Sequence, residues 1–175
     1  MTKSICDAPI NYARKHSLDC YESNSTINPS PDQIKQRLET ITEQVTLMTE
    51  LFQKYWPNLK VPNVALANDG EYLREKTSPA WYRRNKSEIC FVRPSYNCLK
   101  TVCHEFGHHI GHYLNDLLLD KWIAEKGKLN LEKKHYLLSE DFAERIKAVL
   151  SADDVEKSVT DFVETISKEI KLEGN

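Results

Sequence analysis

Long apolar runs are missing from this chain of 175 residues. Its opening stretch, MTKSICDAPINYARKHSLDC, has no hydrophobic centre of signal-peptide length. No segment stays apolar for the roughly 20 residues that a bilayer crossing needs. The expectation is a cytoplasmic protein with no membrane partner. A surplus of one charge is also missing: 24 Lys and Arg stand against 26 Asp and Glu, for a net charge of −2. That balance builds in no general attraction to nucleic acid, so such a partner is not expected. The five cysteines (Cys6, Cys20, Cys90, Cys98, Cys103) are odd in number and form no C-x-x-C pair. They fit reduced, mostly buried thiols better than a disulfide framework or a thiolate zinc site. Internal repeats and low-complexity tracts are absent too. A chain of this length makes one domain that buries roughly 70% of its unfolded surface.

What is present is organised by period and punctuation. Residues 1–29 show no sustained period, and ESNSTINPSP is a polar connector. It ends in a helix start: Ser30 as cap, Pro31 at the first helical position and Gln33 as the capping-box partner. From there Ile34, Leu38, Ile41, Val45, Met48, Phe52 and Tyr55 form one apolar stripe on a scaffold helix over 30–56. NVALA followed by Asn68-Asp69-Gly70 reads as a strand entering a hairpin turn. AWYRR, NKS and EICFV read as a second hairpin, closed by Pro94. Tyr96 to about Lys121 reads as a helix with Val102, Phe106, Ile110, Tyr113 and Leu117 on its apolar face. EKGKLNLEKK reads as a charged connector. Ser139 opens a helix bearing Phe142, Ile146, Val149 and Leu150. Ser151 is expected to cap a last helix bearing Val155, Val159, Phe162, Ile166 and Ile170.

Four of the six histidines fall between His104 and His112. His104-Glu105-Phe106-Gly107-His108 is H-E-x-x-H. On a helix, side chains four apart share a face, about 6 Å apart along the axis. Two imidazoles so placed can bind one Zn²⁺ at roughly 2.0–2.1 Å. Glu105 projects about 100° from His104, beside such a metal, where it can take a proton from water. The bland alternative is a polar helix face with incidental histidines. Against it, the helix is read independently, and the two histidines lie opposite its apolar face.

A catalytic zinc needs a third protein ligand and an open position. His112 lies about 12 Å along the axis from His104, too far on an unbroken helix. Gly111 offers a break, but the metzincin register would then need a histidine at Leu114. His109 points about 140° from His104 and is expected to be exposed. The better candidate lies in SEDFAER. Glu140 and Glu144 are one turn apart on a single face, Phe142 and Ile146 point to the core, and Ala143 permits close helix packing. One glutamate would meet the metal and the other would hold a zinc-bound histidine. Asp141, about 100° away, reads as a helix-start charge. Without the H-E-x-x-H upstream, this stretch would read as an ordinary amphipathic helix.

H-E-F-G-H followed by E-D-F-A-E resembles the gluzincin metallopeptidases. It is most similar to the compact ones, the minigluzincins and the catalytic domain of anthrax lethal factor. The resemblance covers about Val61 to Leu150. It implies one zinc ion on His104, His108 and Glu140, with Glu105 as general base and Glu144 supporting His104. It also implies that the hairpin's first strand forms the upper rim of a cleft, which puts Trp81, Tyr82 and Arg83 along the substrate. The family's transition-state donor has no motif-fixed position here, and Tyr136 and His135 are the candidates. The implied fold is α+β: a small antiparallel sheet or hairpins on the zinc helix and the glutamate helix, with extra N- and C-terminal helices. The expected organisation is a single zincin-like domain over 1–175. It has an irregular segment over 1–29, the scaffold helix over 30–56, a catalytic core over 61–150 and a C-terminal helix over 151–171.

The implied chemistry is zinc-dependent hydrolysis of a peptide or protein substrate. Two narrower forms compete with a general endopeptidase: a regulatory peptidase with one dedicated protein substrate, and a protease of DNA-bound proteins. WYRRNK interleaves aromatic and basic residues as a single-strand binder does, although charges on an edge strand also guard against aggregation. A third class is a non-catalytic, zinc-stabilised interaction module, which would have no need of Glu105. A cysteine from the N-terminal segment, Cys6 or Cys20, on the open zinc position would keep the enzyme latent, whereas free cysteines are mostly just buried.

Overall fold

The computed structural model describes residues 30–67, 80–91, 99–125 and 131–171. Helix α1 (Pro31–Gln53) begins where its capping box predicts. The Ser30 hydroxyl accepts from the Gln33 amide, and the Gln33 side chain accepts from the Ser30 amide at 2.9 Å. Ile41, Val45, Met48 and Phe52 of its stripe are buried, whereas Ile34 and Leu38 near its start are only partly covered. Strands β1 (Asn63–Leu66), β2 (Ala80–Arg83) and β3 (Glu88–Phe91) follow, then helices α2 (Leu99–Glu125), α3 (Leu131–Leu137), α4 (Glu140–Leu150) and α5 (Val155–Lys171). The architecture is α+β, mainly helical.

The hairpin of β2 and β3 is as expected. A single 3-10 turn over Arg84–Lys86 and a left-handed Ser87 (φ 46°) reverse the chain, and Tyr82 pairs with Ile89. The rest of the sheet departs from the antiparallel expectation. β1 runs parallel to β3, and the order is β1-β3-β2. Bonds from the Asn63 amide to the Ser87 carbonyl (2.8 Å) and from the Ala67 amide to the Phe91 carbonyl (2.7 Å) fix that pairing. The long connection between β1 and β2 lets β3 insert between them, which a tight hairpin would forbid. The Asn68-Asp69-Gly70 turn signal lies outside the described residues, as do Pro94 and Tyr96.

Two further expectations change. Part of the charged connector folds: α3 takes LEKKHYL, with Leu137 fully buried against the core. Ser151 ends α4 rather than opening the last helix. Asp154 caps α5 instead, its carboxylate accepting from the Lys157 amide at 3.1 Å. Five aromatic rings join the layers. Phe52 of α1 stacks on Trp56 (5.6 Å between centroids) and meets Phe106 of α2 at 6.0 Å and Phe162 of α5 at 6.3 Å. Phe142 of α4 reaches the same Phe162 at 5.9 Å. Each such burial contributes on the order of 1.5–3 kcal/mol. Together they hold α2 and α4 side by side.

Candidate metal centre

On α2, His104 and His108 lie one turn apart with ring centroids 5.0 Å from each other. Glu140 opens α4, where the Ser139 hydroxyl accepts from the Phe142 amide and fixes the helix start. One Glu140 oxygen lies 3.0 Å from His104 Nε2, and the other lies 3.4 Å from His108 Nε2. One ligand atom from each of the three residues falls within 4.8 Å of the others. In a tetrahedral zinc site with bonds of about 2.0–2.1 Å, neighbouring ligand atoms stand roughly 3.3 Å apart. The two His–Glu separations are close to that value, and the trio as a whole is bounded at 4.8 Å. Among the described residues no other group of His, Cys, Asp and Glu has such spacing.

Glu144, one turn along α4, accepts from His104 Nδ1 at 2.8 Å and also pairs with Lys147. That bond fixes the tautomer. Nδ1 carries the hydrogen, so the Nε2 lone pair points to the Glu140 side, where it must share a proton or a cation. The Lys147 bond, with His104 adding to it, holds the Glu144 carboxyl below the usual carboxylate range. Burial draws His108 below the ordinary imidazole value, against the pull of Glu140, which leaves a neutral ligand. The donor set of two imidazoles, one carboxylate and a carboxylate-held histidine fits zinc by type as well as by spacing.

Glu105 is only 6% exposed. Burial pushes its carboxyl up to about 7, with His104 and a hydrogen bond from the Tyr82 backbone pulling the other way. The base candidate is thus held between the histidine pair and strand β2. Since the Tyr82 N–H turns to Glu105, alternation in the antiparallel ladder turns the N–H groups of Trp81 and Arg83 toward β3. β2 has no partner on its other side among the described residues.

His109 is not exposed as expected. It is 5% exposed, its Nε2 donating to the Lys60 carbonyl at 2.7 Å and its Nδ1 accepting from the Tyr82 hydroxyl at 2.9 Å. Glu105, His109, His112 and Asp116 share one side of α2, and β2 covers that side. The Tyr82 ring stacks on His112 at 5.3 Å. Of the rim residues, Tyr82 therefore packs inward onto α2, and Trp81 and Arg83 take the other face of the strand. His112 is not among the three converging residues.

Of the candidate transition-state donors Tyr136 and His135, Tyr136 has its contacts with Arg145 and Phe142. The Tyr136 hydroxyl accepts from Arg145 Nη1 at 2.8 Å, and its ring packs edge-on against Phe142 at 5.6 Å. Arg145 lies about 140° around α4 from Glu140. His135 is exposed on α3. Cys103 is buried on the core side of α2, and Cys6 and Cys20 lie outside the described residues. No described helix is long and apolar enough to cross a membrane. No protein family, curated protein or solved structure matches the chain.

Proposed function

We propose that this chain is a zinc-dependent endopeptidase of gluzincin type. The observation that carries the proposal is the convergence of His104, His108 and Glu140 beside a buried Glu105 at a strand edge. When bound, zinc supplies a Lewis acid that polarises an amide carbonyl and lowers the pKa of a coordinated water. His104 and His108 would offer their Nε2 atoms to the ion, and Glu140 would offer one carboxylate oxygen. Glu144 holds the His104 ring in register. Glu105 takes the proton of the attacking water on its carboxylate and delivers it to the leaving amine nitrogen. An extended peptide would lie along the side of β2 away from β3, where no described strand pairs with it.

The DNA-associated form is disfavoured by the partners of its basic residues. Arg83 Nε donates to Glu88 at 2.7 Å, and Arg84 pairs with Asp116 at 2.6 Å, so both arginines of WYRRNK are already matched by acids. A regulatory peptidase with a single protein substrate uses the same site. The purified chain is expected to bind close to one zinc, to lose it in His104→Ala and His108→Ala, and to generate new termini in a denatured protein mixture. Glu105→Gln should keep the metal and lose on the order of 10²–10⁴ in turnover. Full activity in Glu105→Gln sinks the peptidase mechanism. Zinc binding without cleavage in the wild type leaves the interaction module standing instead.

A further inference from the structure

We infer that Gly107 and Gly111 are positioning residues for the metal centre: bare backbone at these two places sets how deep α4, and the end of α3 just before it, lie against α2, and so where Glu140 and Glu144 end. The inference rests on the zinc reading above. A Cβ on Gly107 would stand 2.7 Å from the Ala143 Cα and 2.9 Å from the Ala143 carbonyl oxygen. A Cβ on Gly111 would overlap the Leu137 carbonyl oxygen. In both cases the obstacle is main chain, which cannot rotate away as a side chain does. Neither glycine has a positive φ, so their use is the close approach and not an unusual backbone conformation.

The two contacts bracket the acids. Leu137 lies three residues before Glu140, and Ala143 lies between Glu140 and Glu144. A side chain at either glycine therefore forces the whole start of α4 outward. Metal bonds tolerate little of that, because their useful range is about ±0.2 Å. Nor can Glu140 follow the metal freely, since Ser139 pins the first turn of its helix. Gly107 thus has a part in the H-E-F-G-H segment separate from those of its flanking ligands: it is the gap into which the third ligand's helix fits.

Zinc affinity by chelator competition, with zinc alone as the probe, tests this without any substrate. Gly107→Ala should bind zinc at least tenfold more weakly. In a Glu140→Ala background the same substitution should change affinity little, because the ligand it displaces is already gone. Glu140→Asp, at a residue whose side chain is 79% exposed, tests the spacing without threatening the fold. It should weaken zinc at least tenfold, since the fixed helix separation leaves the shorter carboxylate short of the histidines. Unchanged affinity in Gly107→Ala, or an equal loss with and without Glu140, overturns the inference. If Gly107→Ala does not fold, Glu140→Asp decides alone, and wild-type affinity there overturns it. Zinc binding that does not depend on His104 and His108 overturns the metal reading together with the inference. Binding that depends on the histidines but not on the helix spacing overturns the inference alone.

Discussion

On one flank of α2, helix α4 rests against bare backbone at Gly107 and the end of α3 rests against it at Gly111, and α4 carries Glu140 and Glu144 into the open, with side chains 79% and 52% exposed. On the other flank, strand β2 sets the Tyr82 side chain against buried His109 and half-buried His112, and the Tyr82 amide against buried Glu105. The first flank leaves its acids accessible to an ion and its carbonyl-level contacts tight. The second shuts water away from the base and ties strand, helix and the Lys60 carbonyl together. The candidate ligand Glu140 thus sits where exchange with solvent is easy, while the proposed base Glu105 sits where desolvation raises its carboxyl pKa. Substitutions on the two flanks should therefore separate into those that move metal and those that move stability.

The largest effect is expected where the comparison should fail. Phe142 is fully buried, lies on the same helix as the acids and packs on Tyr136 and Phe162. Phe142→Ala should cost about 3–5 kcal/mol and weaken zinc as well, because α4 loses its anchor. Next comes Glu140→Ala. It should weaken zinc beyond the roughly 10–100-fold loss expected for Glu144→Ala as an outer partner. The melting temperature of the metal-free protein should stay near wild type, because the lost carboxylate is exposed. Thermal melts with and without a chelator, beside zinc titrations, check all three variants. A large stability loss from Glu140→Ala would mean that the acid is part of the scaffold.

On the β2 flank the order reverses. His109→Phe removes the acceptor of the Tyr82 hydroxyl and the donor to Lys60. It should cost about 1–3 kcal/mol for the groups left unpaired while leaving zinc affinity alone. His109→Gln, with an amide donor and a carbonyl acceptor, should recover much of that loss. Equal stability of the two variants would show that the ring's packing matters and its hydrogen bonds do not.

How much of this was readable in advance divides along the same line. The histidine pair, Glu105, Glu140 and Glu144 follow from spacing on two helices, because helical geometry makes residues four apart neighbours whatever the rest of the chain does. The caps at Ser30 and Ser139 are likewise local. The β2 flank is not local. Whether His109 meets solvent depends on where a strand 27 residues earlier comes to lie, and the parallel pairing of β1 with β3 depends on a chain crossing that no turn signal encodes. The glycines stand between these cases. Small residues suggest a close approach, but their partner atoms belong to Ala143 and Leu137, and only the packed helices name them.

The smallest expected effect is a pH dependence on the β2 flank. His112 lies against Tyr82, and its Nδ1 is buried without a hydrogen-bond partner. Burial lowers its pKa from 6.5 to about 4; Arg84, His108 and His109 push the same way, and Asp116 opposes them. In the unfolded chain the ring takes a proton near its ordinary value, and in the folded protein it resists until about 4. Its contribution is therefore fully present above about 6.5 and is lost as pH falls through that window, because the unfolded state then binds the extra proton. His108 and His109 are shifted in the same direction by burial and share the sign. His112→Gln should accordingly flatten, without abolishing, the fall in melting temperature of the metal-free protein between the two ends of that window. The ring is only partly buried, so solvent screens the effect and the flattening should be modest. A variant whose melting temperature falls with acid as steeply as wild type would mean that His112 titrates normally, and that water reaches the Tyr82 face of α2.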